Sequence, residues 1–410
     1  MSITLVVHPT SQPALHGAMA AVAALHSGAQ LQHLPARFPP ACGADAVQHV
    51  AAAGMLVPSG LLWYERLTGQ PVAPTASAKA IVTAARDHAI VVPWHPPVQA
   101  AEQLDALLAE ARTQAVPVRL WHVEEYEGRW RLRATDDGDC PADWWQRDAA
   151  GRLVRHQPSD VPPDVPGDAL RIGLVGTEHD QRQVYPATLA CLADAADALG
   201  IVLELRFLAP RSVGPADLRG LHGVVLPGGS DMGNVPGQLL VAQQTLASGL
   251  PTLGLCLGMQ SMATAVLRGL PGTGACNLAE ADPHAPIKSF VPLESFNTPH
   301  GLPAFRVGDQ RVSVADPQFA AWLGSETQVR CNHRFGLNPA LLPLLREHGV
   351  SIAATDASGL IVDAIRQPAH PFYCGMQGHP ELSSAAGAPH PLVAAFLQAA
   401  RQHAGIAGAP

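Results

Sequence analysis

Three short segments in the second half of the chain carry residue types suited to acyl-transfer chemistry. In GLCLGMQ (254–260) a thiol, Cys256, follows the apolar run TLGL and precedes a helical pattern, with Gly254 and Gly258 two residues to either side. This is the layout of a sharp strand-to-helix turn. The glycines let the backbone pass close by, and the side chain between them projects from the sheet edge. The helix start that follows supplies a positive dipole end and free N–H groups, which favour a thiolate and stabilise an oxyanion. An isolated cysteine is as often a buried structural residue, so the turn alone leaves both readings open.

The second segment is MQGHPELSS (376–384). His379 and Glu381 are two apart, so an extended backbone would put both side chains on one side. A carboxylate there fixes the imidazole tautomer while the imidazole takes the thiol proton. Standing alone, a His-x-Glu pair is an ordinary surface pair; beside the turn at Cys256 it completes a triad. The third segment is LPGG (226–229), at the end of an apolar strand. Gly228 and Gly229 expose backbone N–H groups without an obstructing Cβ, which an oxyanion hole requires, though any strand-to-helix turn can look the same.

The order PGG, GLCLGMQ, GHPE resembles that of the class I (triad-type) glutamine amidotransferases, and GLCLGMQ is most similar to the amidotransferase domain of CTP synthase. Further stretches support that branch: LRIGLVGTEHDQRQVYPATLACL (170–192), NLAEADPHAP (277–286), RCNHRFGLNP (330–339) and HPFYCGMQGHPELSSAAGAPHPLVAAFLQAA (370–400). The resemblance covers about 170–403. It implies that Cys256 attacks a glutamine side-chain amide to give a γ-glutamyl thioester, with His379 as base and then acid, and Glu381 orienting it. It further implies an oxyanion hole from the N–H groups of Gly229 and Leu257, with Gly228 shaping the loop. Gln260, Glu280, Arg334 and the Phe335 backbone would hold the amino-acid end of the substrate. Charge suits Glu280 to an ammonium and Arg334 to a carboxylate, although a surface ion pair would use the same residues. The sequence departs from the pattern at Cys331 and Asn332, where a basic run is usual, and after the PGG loop, which continues SDMGNVPG. Stand-alone relatives similar to the C-terminal region of CTP synthase share the GLNP ending.

The elements that must position these residues are those of an α/β fold. From residue 170 onward, apolar strands at 170–177, 201–210, 222–229 and 251–256 alternate with helices at 185–200, 237–250 and 258–268. Strands with helical crossovers predict a parallel sheet covered on both faces. Before this, ITLVVHP (3–9), a helical stretch at 13–27, helices at 77–88 and 99–114 and the strand 89–94 predict a separate α/β domain. RLWHVEEYEGRWRLRAT (119–135) alternates and turns near Glu127-Gly128, which predicts a β-hairpin. DVPPDVPGDA (160–169) is rich in Pro, Asp and Gly and marks a linker. The expected organisation is thus 1–160, a linker at 161–169, and 170–410.

The N-terminal domain carries no nameable motif. LLWYERLTG (61–69) and PWHPP (93–97) group aromatic, charged and histidine residues near predicted strand ends, where they either line a pocket or pack. A CTP synthase would need a P-loop lysine for its ATP-dependent ligase step. Lys79 and Lys288 are the only lysines, neither lies in a glycine-rich turn, and neither GxxxxGK nor GxGxxG occurs. The chain is therefore expected to lack its own ligase domain, to use no cofactor or metal, and to deliver ammonia, if at all, to a partner synthetase. The alternatives are hydrolysis of a specialised γ-glutamyl amide, or a non-catalytic regulatory module. A net charge of −8 speaks against nucleic acid. Seven scattered cysteines suggest a reducing, cytoplasmic setting, and no apolar run is long enough for a membrane span. A homo-oligomer is compatible with all of this.

Overall fold

A computed structural model describes residues 1–135, 140–157, 169–296 and 302–406. The linker segment 160–169, except Ala169, lies outside them. The chain forms two compact units, Met1–Pro163 with His179–Ala190, and Asp164–Glu178 with Cys191–Pro410. No helix among the described residues is long and apolar enough to cross a membrane.

The first unit is built on a seven-stranded sheet. Its elements are β1 (Ile3–Val7), α1 (Ala18–Ser27), β2 (Gln30–Leu31), α2 (Leu62–Thr68), α3 (Ala78–Ala84), β3 (Ile90–Trp94), α4 (Ala101–Thr113), β4 (Val118–Tyr126), β5 (Arg129–Ala134), β6 (Trp145–Arg147) and β7 (Leu153–Arg155), in sheet order β2-β3-β1-β4-β5-β6-β7. The four strands from β2 to β4 run parallel and the rest antiparallel. β4 and β5 make the expected hairpin. Glu127 and Gly128 both have positive φ, as a tight two-residue turn matched to strand twist requires. α1 buries the unbroken run Ala18–Ala24, whose small side chains let the helix lie close to the sheet. Residues 62–68, expected near a strand end, are instead helix α2. Trp63 there is packed, its indole N–H donating to the Ala14 carbonyl at 2.8 Å.

The second unit holds a nine-stranded sheet. Its elements are β8 (Leu170–Leu174), α5 (Ala187–Leu199, of which the part from Cys191 on belongs to this unit), β9 (Leu203–Phe207), β10 (Gly223–Leu226), α6 (Val235–Ser248), β11 (Thr252–Leu255), α7 (Leu257–Arg268), β12 (Arg306–Val314), α8 (Pro317–Leu323), β13 (Glu326–His333), β14 (Ser351–Asp356), β15 (Val362–Arg366), β16 (Tyr373–Met376) and α9 (Pro391–His403). The strand order is β9-β8-β10-β11-β16-β15-β14-β12-β13. The five strands from β9 to β16 are parallel, as the helical crossovers demand. Beyond β16 the sheet turns antiparallel, which the sequence reading did not anticipate. β14, β15 and β16 follow one another through short loops, without the crossover helices that parallel pairing needs, whereas α8 lies between β12 and β13.

Helix packing explains the composition around the sheet. α7 is buried at every position from Leu257 to Leu267, which is why its sequence lacks a polar face. α9 is amphipathic and buries Leu392, Val393, Phe396, Leu397 and Ala400, with Arg401 and His403 in its last turn. Its cap is His390, whose Nδ1 accepts from the Leu392 N–H at 3.2 Å. Burial keeps His390 neutral and pushes its pKa down to about 4 from 6.5. The unfolded chain therefore binds this proton first as pH falls. Stability should drop between about pH 6.5 and 4, by up to about 1.4 kcal/mol per pH unit for this group, and level off below. His390→Asn keeps a good cap and should make the stability loss measured by urea unfolding across that window shallower. An unchanged acid slope would contradict a neutral His390 in the folded state.

Candidate active site

β11 runs straight into α7, and Cys256 is the single residue between them. Its backbone sits at φ 49° and ψ −107°, one of few non-glycine positive-φ residues among those described. Such a conformation costs on the order of 1–3 kcal/mol and persists only when surrounding structure enforces it. The two flanking glycines show what enforces it. A Cβ at Gly258 would lie 1.9 Å from the Leu226 carbonyl oxygen, and one at Gly254 would lie 2.4 Å from the Met262 sulfur. The Cys256 N–H donates to the Met376 carbonyl at 2.8 Å, tying the turn to β16. Leu257 is the first residue of α7, so its N–H has no intrahelical acceptor.

His379 and Glu381 meet as the sequence predicts, but by another route. The segment is not extended. Pro380 starts a short 3-10 turn (Pro380–Ser383) with His379 as its cap, and the chain folds so that Glu381 reaches back. The contact is His379 Nδ1 to Glu381 Oε1 at 2.8 Å, with both residues buried. The His379 N–H donates to the Arg330 carbonyl at 2.7 Å, and a Cβ at Gly378 would strike Val329 at 1.9 Å. Glycine here lets the chain pass tightly over β13. Burial alone would lower the His379 pKa, but the Glu381 carboxylate and the Cys256 sulfur outweigh it and hold that pKa well above the usual value. Nε2, the other ring nitrogen, is buried and has no nitrogen or oxygen partner among the described residues, which leaves it to the Cys256 sulfur. Cys256 and His379 face each other across Gly228: a Cβ on that glycine would sit 3.1 Å from His379 Cε1 and 3.4 Å from Cys256 Cβ. A side chain at Gly228 would press on the imidazole, which would have to give by a few tenths of an ångström.

The PGG loop is held from below. Buried Gln238 on α6 donates to the Pro227 carbonyl at 3.0 Å and accepts from Ser261 Oγ on α7 at 2.9 Å. One amide thus locks the loop containing Gly228 and Gly229 to the helix that begins at Cys256. A second buried amide, Gln377, follows β16. Its Nε2 donates to the Cys256 sulfur at 3.7 Å, and its Oε1 accepts from Gln260 Nε2 at 3.4 Å. Gln260 Oε1 is buried and has no hydrogen-bond partner among the described residues. The thiol also points to the Asn332 carbonyl at 3.8 Å.

Glu280 and Arg334 are both exposed, unlike the three residues around the thiol. They are electrostatic neighbours. Partial burial of the Glu280 carboxyl raises its pKa, and the Arg334 charge opposes that rise. Arg334 lies over the Phe305 ring at 5.3 Å, and its carbonyl accepts from the Leu293 N–H at 2.8 Å. The Phe335 carbonyl accepts from His333 Nδ1 at 2.9 Å.

Behind Asn332 lies a buried cluster that motif reasoning did not single out. Arg306 donates to both oxygens of Asp363, at 2.7 and 3.2 Å, and lies 3.2 Å from His333 Nε2. Burial and the Arg306 charge hold His333 neutral, with a pKa of about 3. Cys331, His333 and Asp363 offer donor atoms within 4.8 Å of one another, a spacing that suits a metal ion. Arg306 already engages the Asp363 oxygens and His333 Nε2, so a guanidinium provides the cation. The Asp363 backbone carbonyl in turn accepts from the Gln377 backbone N–H at 2.8 Å, which links this cluster to the residue whose amide reaches the thiol. Arg306 and Asp363 carry no motif signature; their pairing depends on antiparallel strands that the sequence pattern did not reveal.

Residues 207–399 match the family described as glutamine amidotransferase class-I, and this region resembles that class. Within the class it is similar to CTP synthase. The chain is 31% identical to the CTP synthase of a Cyanothece species over 246 residues, covering 58% of this chain and 45% of the relative. It is 32% identical to that of Nostoc punctiforme over 243 residues, covering 57% and 44%. The chain thus spans about half the length of the curated relatives it matches. The solved glutaminase domain of Trypanosoma brucei CTPS, with bound acivicin, shares the fold at a TM-score of 0.53 and 24% identity. That match covers 57% of this chain and 94% of the domain.

The raised pKa of His379 depends on its carboxylate. In Glu381→Gln the burial penalty would no longer be offset by that charge, so the imidazole pKa should fall below its wild-type value. An NMR titration of the His379 ring protons reads this directly, and an unmoved pKa would mean that Glu381 does not set the charge state.

Proposed function

We propose that the C-terminal unit hydrolyses the side-chain amide of glutamine, or of a glutamine-like γ-amide, through a γ-glutamyl thioester on Cys256. The observation that carries this reading is the strained thiol at a helix start, facing a buried imidazole whose far nitrogen is held by a carboxylate. The thiolate attacks the amide carbonyl, and the carbonyl electrons move onto oxygen. The N–H groups of Leu257 and Gly229 are suited to receive that oxyanion, with Gly228 leaving room for the carbonyl beside His379. His379 gives a proton to the leaving nitrogen, ammonia departs, and the thioester remains. Water then adds, with His379 as base, and the acid is released while the thiol is restored. Glu381 keeps the imidazole in the tautomer that presents Nε2.

Gln260, with its unpaired buried oxygen, and the Glu280/Arg334 pair are suited to the amino-acid end of the substrate. An ammonium would neutralise Glu280 and a carboxylate would pair with Arg334. Their mutual proximity favours free glutamine over a substrate lacking either charge. The relatives matched over this region are CTP synthases, so a synthetase that consumes ammonia is the partner we assign to this chain.

Two measurements test the reading. Ammonia release from glutamine should fall at least about a thousandfold in Cys256→Ala, and a glutamine-mimicking diazoketone should label Cys256 in the wild type. Absence of labelling at saturating reagent would remove glutamine as substrate. Arg334→Met should raise KM for glutamine by about tenfold or more while leaving kcat within a fewfold, the pattern for lost uniform binding. A fall in kcat with constant KM would place Arg334 in the chemical step instead.

A further inference from the structure

The N-terminal unit gathers four buried histidines at one edge of its sheet. His8 follows β1, His95 follows β3 and His33 follows β2, three adjacent parallel strands, so all three stand at carboxyl ends. His16 directly precedes Gly17, the cap of α1. Each is at most 3% exposed. The His8 N–H donates to the Trp94 carbonyl at 2.9 Å, which holds β1 and β3 level where the two rings emerge. His95 stacks on His16 with ring centres 4.3 Å apart and lies 5.5 Å from His8.

His95 is a fixed point in this group. Its Nε2 accepts from the Gly17 N–H at 3.0 Å, and its own N–H donates to Gln99 Oε1 at 2.7 Å. His33 is held too, its Nε2 donating to the Ala73 carbonyl at 3.1 Å, but His8 and His16 are not satisfied. Both ring nitrogens of His8 and both of His16 have no hydrogen-bond partner among the described residues. Each buried polar atom left so costs about 1–3 kcal/mol, and several in one place call for a bound partner. Among the described residues, only Cys331, His333 and Asp363 bring three donors close enough to share one ion, so a metal does not suit the histidines.

The surrounding charge points to an anion. Arg147 acts electrostatically on His8, and its guanidinium is held by neutral side chains, Gln183 at 2.8 Å and Gln12 at 3.3 Å. The Arg182 charge lies close enough to act on Arg147. The start of α1 has no side-chain cap, and its dipole favours negative charge. Carboxyl ends of parallel strands are where open α/β sheets bind ligands.

We propose that the N-terminal unit binds a small oxyanion-bearing metabolite, a carboxylate or a phosphate ester, between His8, His16 and the start of α1. Neutral imidazoles would donate N–H groups to its oxygens while Arg147 balances its charge. Calorimetric titration of the full chain with inorganic phosphate, and separately with succinate, tests this. Saturable binding of either supports the site, and which anion binds identifies the oxyanion. His16→Gln should weaken that binding about tenfold or more, the loss expected for one charge-assisted hydrogen bond, while Cys256→Ala should leave it unchanged. Arg147→Met, at a half-buried position, gives the same reading if His16→Gln does not fold. No saturable binding of either anion by folded wild-type protein would overturn the proposal, as would unchanged affinity in the variants.

Discussion

The turn at Cys256 is the constraint on which the rest of the C-terminal unit depends. A buried strand and a fully buried helix are joined by one residue, and that residue is forced to positive φ because Gly254 and Gly258 are packed to the limit. Relaxing the turn would require α7 to move away from Leu226 on β10. It would also break the bond from the Cys256 N–H to β16. Sheet and helix therefore hold the thiol in a conformation it would not choose alone. The opening of α7, its glycine pattern and its lack of a polar face are three consequences of the same close approach.

The other groups are brought to that fixed point by short, stiff connections. Gly228 lies beside both Cys256 and the His379 ring, Gln238 pins its loop, and Gln377 ties the thiol to Gln260 and, through its backbone, to Asp363. Arg306 and Asp363 are a buried pair, 4% and 1% exposed in their side chains. Such pairs add little net stability over apolar packing, because desolvation offsets attraction, but losing one partner is costly. The consequence here is geometric. The pair joins β12 to β15, and the backbones of β13 and β15 meet the thiol network at Asn332 and Gln377.

Much of this was legible in the sequence, and the failures have physical causes. The turn at Cys256 with its glycines, the His379–Glu381 contact and the PGG loop have local backbone requirements, and those leave a local imprint in the sequence. The parallel half of the sheet was found because crossover helices have a period. The antiparallel half was missed, since strands such as Arg306–Val314 are only half buried and pair with distant partners. Arg306 with Asp363, and Gln238 with Pro227, are long-range pairings between residues of common types, and no spacing rule predicts them. The His-x-Glu geometry was inferred from an extended segment, whereas Pro380 bends it; the contact survives because a two-residue separation is short enough for either path. In the first unit, Leu62–Thr68 forms a helix where the sequence suggests a strand end, because its aromatic residues suit a strand or a helix equally. The sequence of PWHPP suits a packed or a pocket-lining segment equally, and only the fold shows that His95 meets His8 from the neighbouring strand end and His16 from before α1.

Histidine shows how strongly these environments differ. His8, His16, His333, His379 and His390 are all buried in one chain, so desolvation pushes every one of them toward the neutral form. Four yield to it, and His379 does not. The difference is a carboxylate 2.8 Å from Nδ1 and a sulfur on its other side, two groups that favour the protonated ring more than burial opposes it. At His333 the charge nearby is the Arg306 guanidinium, of the opposite sign in effect, and the ring stays neutral although its Nδ1 donates to the Phe335 carbonyl. A charged imidazole in this fold is therefore not a property of depth or of position at a strand end. It arises where an anion is built in beside it, which in the C-terminal unit happens next to the one cysteine held in a strained turn.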